Sequence, residues 1–438
     1  MLKKQTALKQ RIRWGFSTLI VLSILVTYLH RHGTHSTQNL AVGFAENLIP
    51  SSNQISKEHV TRELKRAFTQ TGSDHFLPSE LELPIHGKPT KCILQYSINS
   101  KLQVEMESLF DTYRPDFGAF VAIDPDTGKV LSLVSYAQKE KEFANFALKG
   151  DLPSASVFKM VTAAAAIGNG KLSPESIISF NGMNHTLYRR NVFDPRINRW
   201  TRHMTMREAF AKSVNTVFAR IGTLFVGPQE LRAAASSFGF NRQIASDLPI
   251  EEGHAAITND SWQVAEAASG YTKENTMSPL QGALMAAAVA NNGTMMEPYI
   301  VEAVLSETGN SLYSAHPQIA GVAMNPATAE QLRRLMQETV THGTARGAFK
   351  RFFRQIGNES VEVGGKTGSL SGTSPGGKYD WFIGYAKHNG QRIAFAALTI
   401  NKKFWKVKSA YLARKAIESY FAGESRVTLV SHPGIHRF

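Results

Sequence analysis

Ser156 and Lys159 stand three residues apart in SASVFKM, residues 154–160, a hydroxyl and an amine set into an otherwise apolar run. On a helix, positions i and i+3 share a face, so the two groups come within reach of one another. That pairing suits nucleophilic catalysis, because a serine hydroxyl is a poor nucleophile until a neighbouring base takes its proton. By itself SxxK is a loose pattern, and the competing reading is the front of an ordinary core helix. Two further groups follow along the chain. KSVNTVF carries Ser213 and Asn215, and VEVGGKTGSL carries Lys366, Thr367, Gly368 and Ser369 after β-prone residues.

The elements that must position these groups can be read from periodicity. GAFVAIDPDTGKVLSLVSY has two apolar β-prone runs around DPDTG, a hairpin signal with Pro, Asp and Gly in the turn. A second hairpin is expected where YDWFIGYA and QRIAFAALTI flank KHNG. Between them lie helical stretches such as KMVTAAAAIGNG, MREAFAKSVNTVFARIG, SPLQGALMAAAVANNG and PATAEQLRRLMQETV. Ser156 falls near the start of the first and the SxN triplet inside the second. Strand pairs at both ends with helices between predict an α+β fold, its terminal strands meeting in one antiparallel sheet.

Composition describes a globular chain: 438 residues, 42% hydrophobic and 19% charged. The formal net charge is +14, but six of the basic residues (Lys3, Lys4, Lys9, Arg11, Arg13 and Arg31) lie in the first 35 residues, leaving +8 for the rest. That surplus suits acidic polymers, anionic wall material or nucleic acid in general, and most of it reads as solvated surface. No basic motif with interleaved aromatics favours nucleic acid. Cys92 is the single cysteine, which excludes an intramolecular disulfide and any CxxC site, and it reads as an apolar strand residue in CILQYSI. His30, His32 and His35 lack acidic or cysteine companions and are not taken as metal ligands. No metal and no cofactor is expected.

After the basic opening comes WGFSTLIVLSILVTYL, uncharged over residues 14–29. It is slightly shorter than the ~20 residues of a usual span, yet basic residues precede it and no small-x-small cleavage pattern follows at once. The expected organisation is a cytoplasmic tail over residues 1–13 and a transmembrane anchor over 14–30. A juxtamembrane spacer over 31–89, with a short helix around KEHVTRELKRAF, leads to a catalytic domain over 90–422 and a tail over 423–438. The body then lies outside the inner membrane, in the periplasm, away from cofactors such as ATP.

SxxK, SDN and KTG are the working set of class A β-lactamases and penicillin-binding proteins, and here all three arrive in that order, with Val214 at the middle of the second. The chain resembles the transpeptidase domain of the penicillin-binding proteins over about residues 90–420. FGFNRQIASDLP looks like the family's "FG…DLP" segment and MSPLQGALMAAAVANNG like its "TPLQ" helix; GTARGAF before KTG and DWFIGYA after it are also typical. The resemblance implies an antiparallel sheet flanked by helices, with an all-helical subdomain. It implies Ser156 as nucleophile, Lys159 as general base and Ser213 as proton relay, with Asn215, Lys366, Thr367, Gly368 and Ser369 binding substrate.

Each role has a physical requirement. Lys159 works as a base only if burial and a second cation, Lys366, lower its pKa. The backbone amides of Ser156 and Ser369 are implied as donors to the oxyanion. Asn215 suits a substrate amide and Thr367 with Ser369 a terminal carboxylate, while KTG on a strand edge lets an extended substrate pair, with Gly368 admitting its approach. A substrate ending in a free carboxylate beside an amide fits D-alanyl-D-alanine. The expected partners are peptidoglycan stem peptides, β-lactam antibiotics, the inner membrane and a separate glycosyltransferase, since the residues ahead of 90 are too few for one in this chain.

Two local departures stand out: LPSASVF lacks the Pro-Gly entry of many relatives, and KTGS replaces the commoner KTGT. No ExxLN segment lies between Ser213 and Lys366 to activate a deacylating water, which ranks a β-lactamase third. Transpeptidase comes first and carboxypeptidase or endopeptidase second. The alternative of a different class is a non-catalytic β-lactam sensor or scaffold.

Overall fold

The computed structural model describes residues 55–70, 77–85, 87–139, 145–356 and 361–422. The order begins α1 (Lys57–Gln70), β1 (Glu80–Ile85), β2 (Lys88–Tyr96), α2 (Ser100–Tyr113), β3 (Phe117–Ile123), β4 (Val130–Ala137). A 3-10 turn (Ala155–Phe158) runs into α3 (Lys159–Gly168), then β5 (Ile177–Phe180), α4 (Arg189–Phe193), β6 (Arg202–Thr205), α5 (Met206–Ala211) and α6 (Asn215–Arg220). A π-helical turn (Ile221–Val226), α7 (Pro228–Ser237), α8 (Ser261–Ser269), α9 (Pro279–Ala290) and β7 (Thr294–Met296) follow. The chain continues through β8 (Val301–Ser306), β9 (Ser311–Ser314), β10 (Ile319–Val322), α10 (Pro326–Thr341) and α11 (Arg346–Ile356). β11 (Glu362–Thr373), β12 (Gly376–His388), β13 (Gln391–Asn401) and α12 (Ser409–Phe421) come last.

The central sheet is antiparallel with strand order β11-β12-β13-β3-β4, so the early and late hairpins do meet, through the β13–β3 pairing that sets Ala397 opposite Phe120. Both hairpins close as their turn residues require. Asp124 accepts from the amide of Gly128, and Asn389 and Gly390, both at positive φ, make a two-residue turn between His388 and Gln391. β11 is an edge strand, which leaves one side of the KTG backbone unpaired within the sheet.

β3 is buried at every position and β13 over its last nine, because helices cover both faces of the sheet. On one face lies α9, all twelve residues buried, its first turn set by Pro279 and by Ser278 accepting from the amide of Gln281. On the other face α2 and α12 supply Leu102, Met106, Phe110, Leu412 and Ile417 to a second apolar cluster. Each such side chain withdrawn from water contributes about 1.5–3 kcal/mol. Trp381 and Phe382 on β12 are fully buried.

Three differences from the sequence-based expectation follow from packing. The spacer expected over residues 31–89 is folded onto the body from Ile55 onward. β1 and β2 join β8 and β9 in a four-stranded sheet, the amide of Ile55 donates to Leu312, and Val60, Leu64 and Leu83 sit in the main core. Polar composition masked this, because α1 needs only one apolar stripe to dock. The helical part carries a two-stranded ribbon of β5 and β6, so it is not all-helical. The stretch holding SxN is broken between α5 and α6. The anchor expected at 14–30, the tails 1–13 and 423–438, and His30, His32 and His35 lie outside the described residues; among those described, no helix is long and apolar enough to cross a membrane.

Candidate active site

Ser156 lies in the 3-10 turn and Lys159 opens α3, so a helical path does place them on one face, with Lys159 Nζ 2.7 Å from Ser156 Oγ. The amine is fully buried. It also lies 2.8 Å from Asn215 Oδ1 and 2.6 Å from the carbonyl oxygen of Ser269. Both of those oxygens can only accept. In its neutral form the amine has two N–H donors and one lone pair, so with the two carbonyls satisfied that lone pair is left for the proton of the Ser156 hydroxyl.

Electrostatics favour that neutral form. Burial pushes the Lys159 amine well below the usual lysine range, and the positive charge of Lys366 pushes it further in the same direction. Lys366, on β11, is itself fully buried and is pushed down to about 7 by loss of solvent. Its ammonium donates to Ser213 Oγ at 2.9 Å and to the carbonyl of Thr367 at 2.7 Å. No carboxylate hydrogen-bonds either amine among the described residues; Phe218 and Phe210 ring faces lie 5.9 and 5.5 Å from them instead.

The break in the second helical stretch is what aims Ser213. It takes φ +55°, its amide bonds to Phe210 and that of Val214 bonds to Ala209, the bond pattern of a Schellman stop in which glycine is usual. A non-glycine residue there costs about 1–2 kcal/mol. The next helix then starts at Asn215, whose Nδ2 donates to the carbonyl of His185 at 3.0 Å, leaving one amide N–H uncommitted. Ala155, immediately before Ser156, also has a left-handed backbone, at φ +51°.

At the strand end, Gly368 stands where the 3-10 turn meets β11. A Cβ on it would lie 3.1 Å from Val157 and 3.3 Å from the carbonyl of Ser154. On that face of the strand the missing Cβ makes room for the turn that carries Ser156. Thr367 and Ser369 project from the opposite side of the strand. Thr367 Oγ1 meets Thr344 Oγ1 at 2.5 Å, and Ser369, exposed, donates to Asp380 Oδ1 at 3.3 Å.

Four residues that complete this arrangement were not singled out from the sequence. Ser269 contributes its last-turn carbonyl to Lys159. Gly270, at φ +65°, lets the Ala155 carbonyl come so close that a Cβ would sit 2.0 Å from its oxygen; a glycine closing an Ala-rich helical run was the available signal. Asp380 lies opposite Ser369 in the sheet, buried, and also accepts from Lys408 Nζ at 3.2 Å and from the amide of Ser409 at 2.8 Å. Thr344 belongs to GTARGAF, noted as a motif without a role. Trp381, read as core, also donates its indole N–H to the carbonyl of Pro153 at 2.9 Å, anchoring the loop ahead of Ser156.

Comparisons with known proteins point to one family. The family model described as "Penicillin binding protein transpeptidase domain" matches residues 118–418. Peptidoglycan D,D-transpeptidase PbpA of Mycolicibacterium smegmatis is 26% identical over 315 residues, 65% of this chain and 62% of that protein. Stage V sporulation protein D of Bacillus subtilis is 26% identical over 71% of this chain and 50% of its own length. The match thus spans under two thirds of these curated relatives. Among solved structures, the D,D-transpeptidase domain of a peptidoglycan glycosyltransferase from Eggerthella lenta superposes with a TM-score of 0.61 at 25% identity, over 75% of this chain and 82% of that one. The penicillin G acyl-enzyme complex of penicillin-binding protein A from Mycobacterium tuberculosis gives 0.59 at 25% identity, over 75% and 80%. The motifs, the α+β fold and the span of the match agree: this chain belongs to the penicillin-binding protein transpeptidase domain family.

Proposed function

We propose that this protein is a peptidoglycan D,D-transpeptidase acting on stem peptides that end in D-alanyl-D-alanine, and that β-lactams acylate the same serine. The observation that carries the reading is the buried Lys159 amine, 2.7 Å from Ser156 Oγ and held by two carbonyl acceptors. In the first half-reaction Ser156 Oγ passes its proton to the Lys159 lone pair and attacks the carbonyl carbon of the penultimate D-alanine. The amides of Ser156 and Ser369 receive the oxyanion. Collapse forms the ester and breaks the peptide bond; the departing D-alanine amine takes a proton relayed from Lys159 through Ser213. In the second, an acceptor amine attacks the ester carbonyl, the bond from that carbon to Ser156 Oγ breaks as the new amide forms, and the proton given up by the amine returns to Ser156 Oγ through Lys159.

Lys366, Thr367 and Ser369 hold the terminal carboxylate in this scheme, and Asn215 gives its uncommitted N–H to a substrate carbonyl. The edge position of β11 supports an extended substrate alongside it. An anchor over residues 14–30 places the body outside the inner membrane, and glycan polymerisation falls to a separate glycosyltransferase. The full chain is expected to form a covalent adduct with labelled penicillin, visible as a mass increase, that Ser156→Ala abolishes. An unlabelled wild type beside a labelled control enzyme overturns the reading in favour of a scaffold. Product analysis on a pentapeptide, with and without an amine acceptor, separates cross-linking from carboxypeptidase trimming.

A further inference from the structure

We propose that residues 181–202, which include the excursion between β5 and β6, form a docking surface for the acceptor strand, an anionic glycan carrying peptide carboxylates. This rests on the transpeptidase reading above. The stretch carries five arginines, Arg189, Arg190, Arg196, Arg199 and Arg202, against one acid, Asp194, which Arg196 already engages at 2.7 Å. Interleaved with them, in a basic and aromatic run not recognised from the sequence, are large apolar side chains left in water: Met183 is 70% exposed, Tyr188 61%, Ile197 71% and Trp200 70%. A cluster of exposed apolar groups of this kind marks a contact surface. Arg199 lies 4.8 Å from the Trp200 ring and Arg189 5.8 Å from Phe193, so cation and ring are presented together.

Position ties this surface to the chemistry. The carbonyl of Asn184 accepts from the amide of Asn215 at 2.8 Å, and that of His185 from Asn215 Nδ2, the residue that also contacts Lys159. The excursion is also braced from within. Arg220 donates to the carbonyl of Val192 at 2.7 Å, and Arg202 to Asn184 Oδ1 at 2.9 Å. It is therefore held in shape before a ligand arrives. A reaction that resolves an acyl-enzyme with an amine needs a second polymer beside the first, and its stem-peptide carboxylates match a planar, two-pronged guanidinium better than water does. Exposed rings beside those cations bury the apolar faces of sugars or alanine methyls.

The test compares the full-length protein with an Arg190→Glu, Arg199→Glu, Trp200→Ala variant, none of whose positions enters the proposed acylation step. Labelled-penicillin acylation should stay within about twofold, while co-sedimentation with insoluble peptidoglycan falls about tenfold or more and loses part of its salt dependence. Undiminished peptidoglycan binding overturns the proposal. So does a loss confined to phosphatidylglycerol vesicles, which assigns the surface to the membrane. If charge reversal impairs folding, seen as lost acylation, Arg190→Gln with Arg199→Gln carries the same comparison at about threefold. A wild type that never acylates defeats the catalytic reading, and the sedimentation result still decides this surface.

Discussion

Two lysines border the two ends of the site, and they live in different worlds. Lys159 is sealed from solvent, hydrogen-bonds a hydroxyl, an amide oxygen and a backbone carbonyl, and loses its proton easily. Lys408, half-exposed, faces the carboxylate of Asp380 and lies over the Trp405 ring at 3.3 Å. In the proposed reaction the same side chain thus serves as a base where its charge has no anionic partner and no water. Where a carboxylate and solvent are at hand, it completes a polar brace behind Ser369. A lysine's role is set by who shares its burial, and residue type alone does not decide it.

The sharpest way to break this comparison is to remove each amine. Lys159→Met, which keeps the apolar packing of the stem, is expected to slow penicillin acylation by about a thousandfold or more, in the range general-base catalysis supplies, with little loss of thermal stability. In the wild type the acylation rate should climb with pH and reach its plateau well below the ordinary lysine range; a limb near the ordinary lysine value means the amine is wet.

Stability against pH tests the dry end next. The unfolded chain keeps its lysines protonated to about 10.4, whereas the folded protein releases the Lys366 proton at about 7. Between those values the unfolded state binds the extra proton, so folding stability rises with pH, by up to about 1.4 kcal/mol per unit from this amine. It is lowest below about 7, where the buried amine must carry its charge. Urea midpoints followed from pH 7 to 10 should rise, and Lys366→Met should flatten the rise. An unchanged slope removes the buried cation from the account.

The smallest effect belongs to the wet end. Lys408→Met leaves Asp380 with Ser369 and the amide of Ser409 as donors, so penicillin acylation should change by only about two- to fivefold, as for a solvent-screened pair. A loss approaching that of Lys159→Met would erase the distinction between the two ends.

The chain was legible where chemistry and local conformation coincide. Ser156, Lys159, Ser213, Asn215 and the KTG strand carry their own side-chain signal, and the hairpins and α9 follow from alternation, turn residues and an Ala-rich run. Ser269 and Gly270 were not legible, because one acts through a carbonyl that any residue could present and the other through an absent Cβ. The stop at Ser213 was hidden for a related reason: a left-handed serine looks, in sequence, like any serine within a helix. The helix α1 and a strand through CILQYSI were expected, but β1 and the docking of all three elements onto the body were missed, because short polar-rich elements show their apolar side only once something packs on it.

What the sequence determined by itself is therefore the inventory: a hydroxyl three residues from an amine, two later polar groups, and the periodicities that make helices and strands around them. Tertiary structure alone decided that Lys159 would meet Asn215 and the Ser269 carbonyl, 56 and 110 residues away, with water shut out. The physical reason is that desolvation and cation–cation repulsion depend on what surrounds a group in space. Those neighbours arrive from distant parts of the chain only when the sheet and the helical region close on one another.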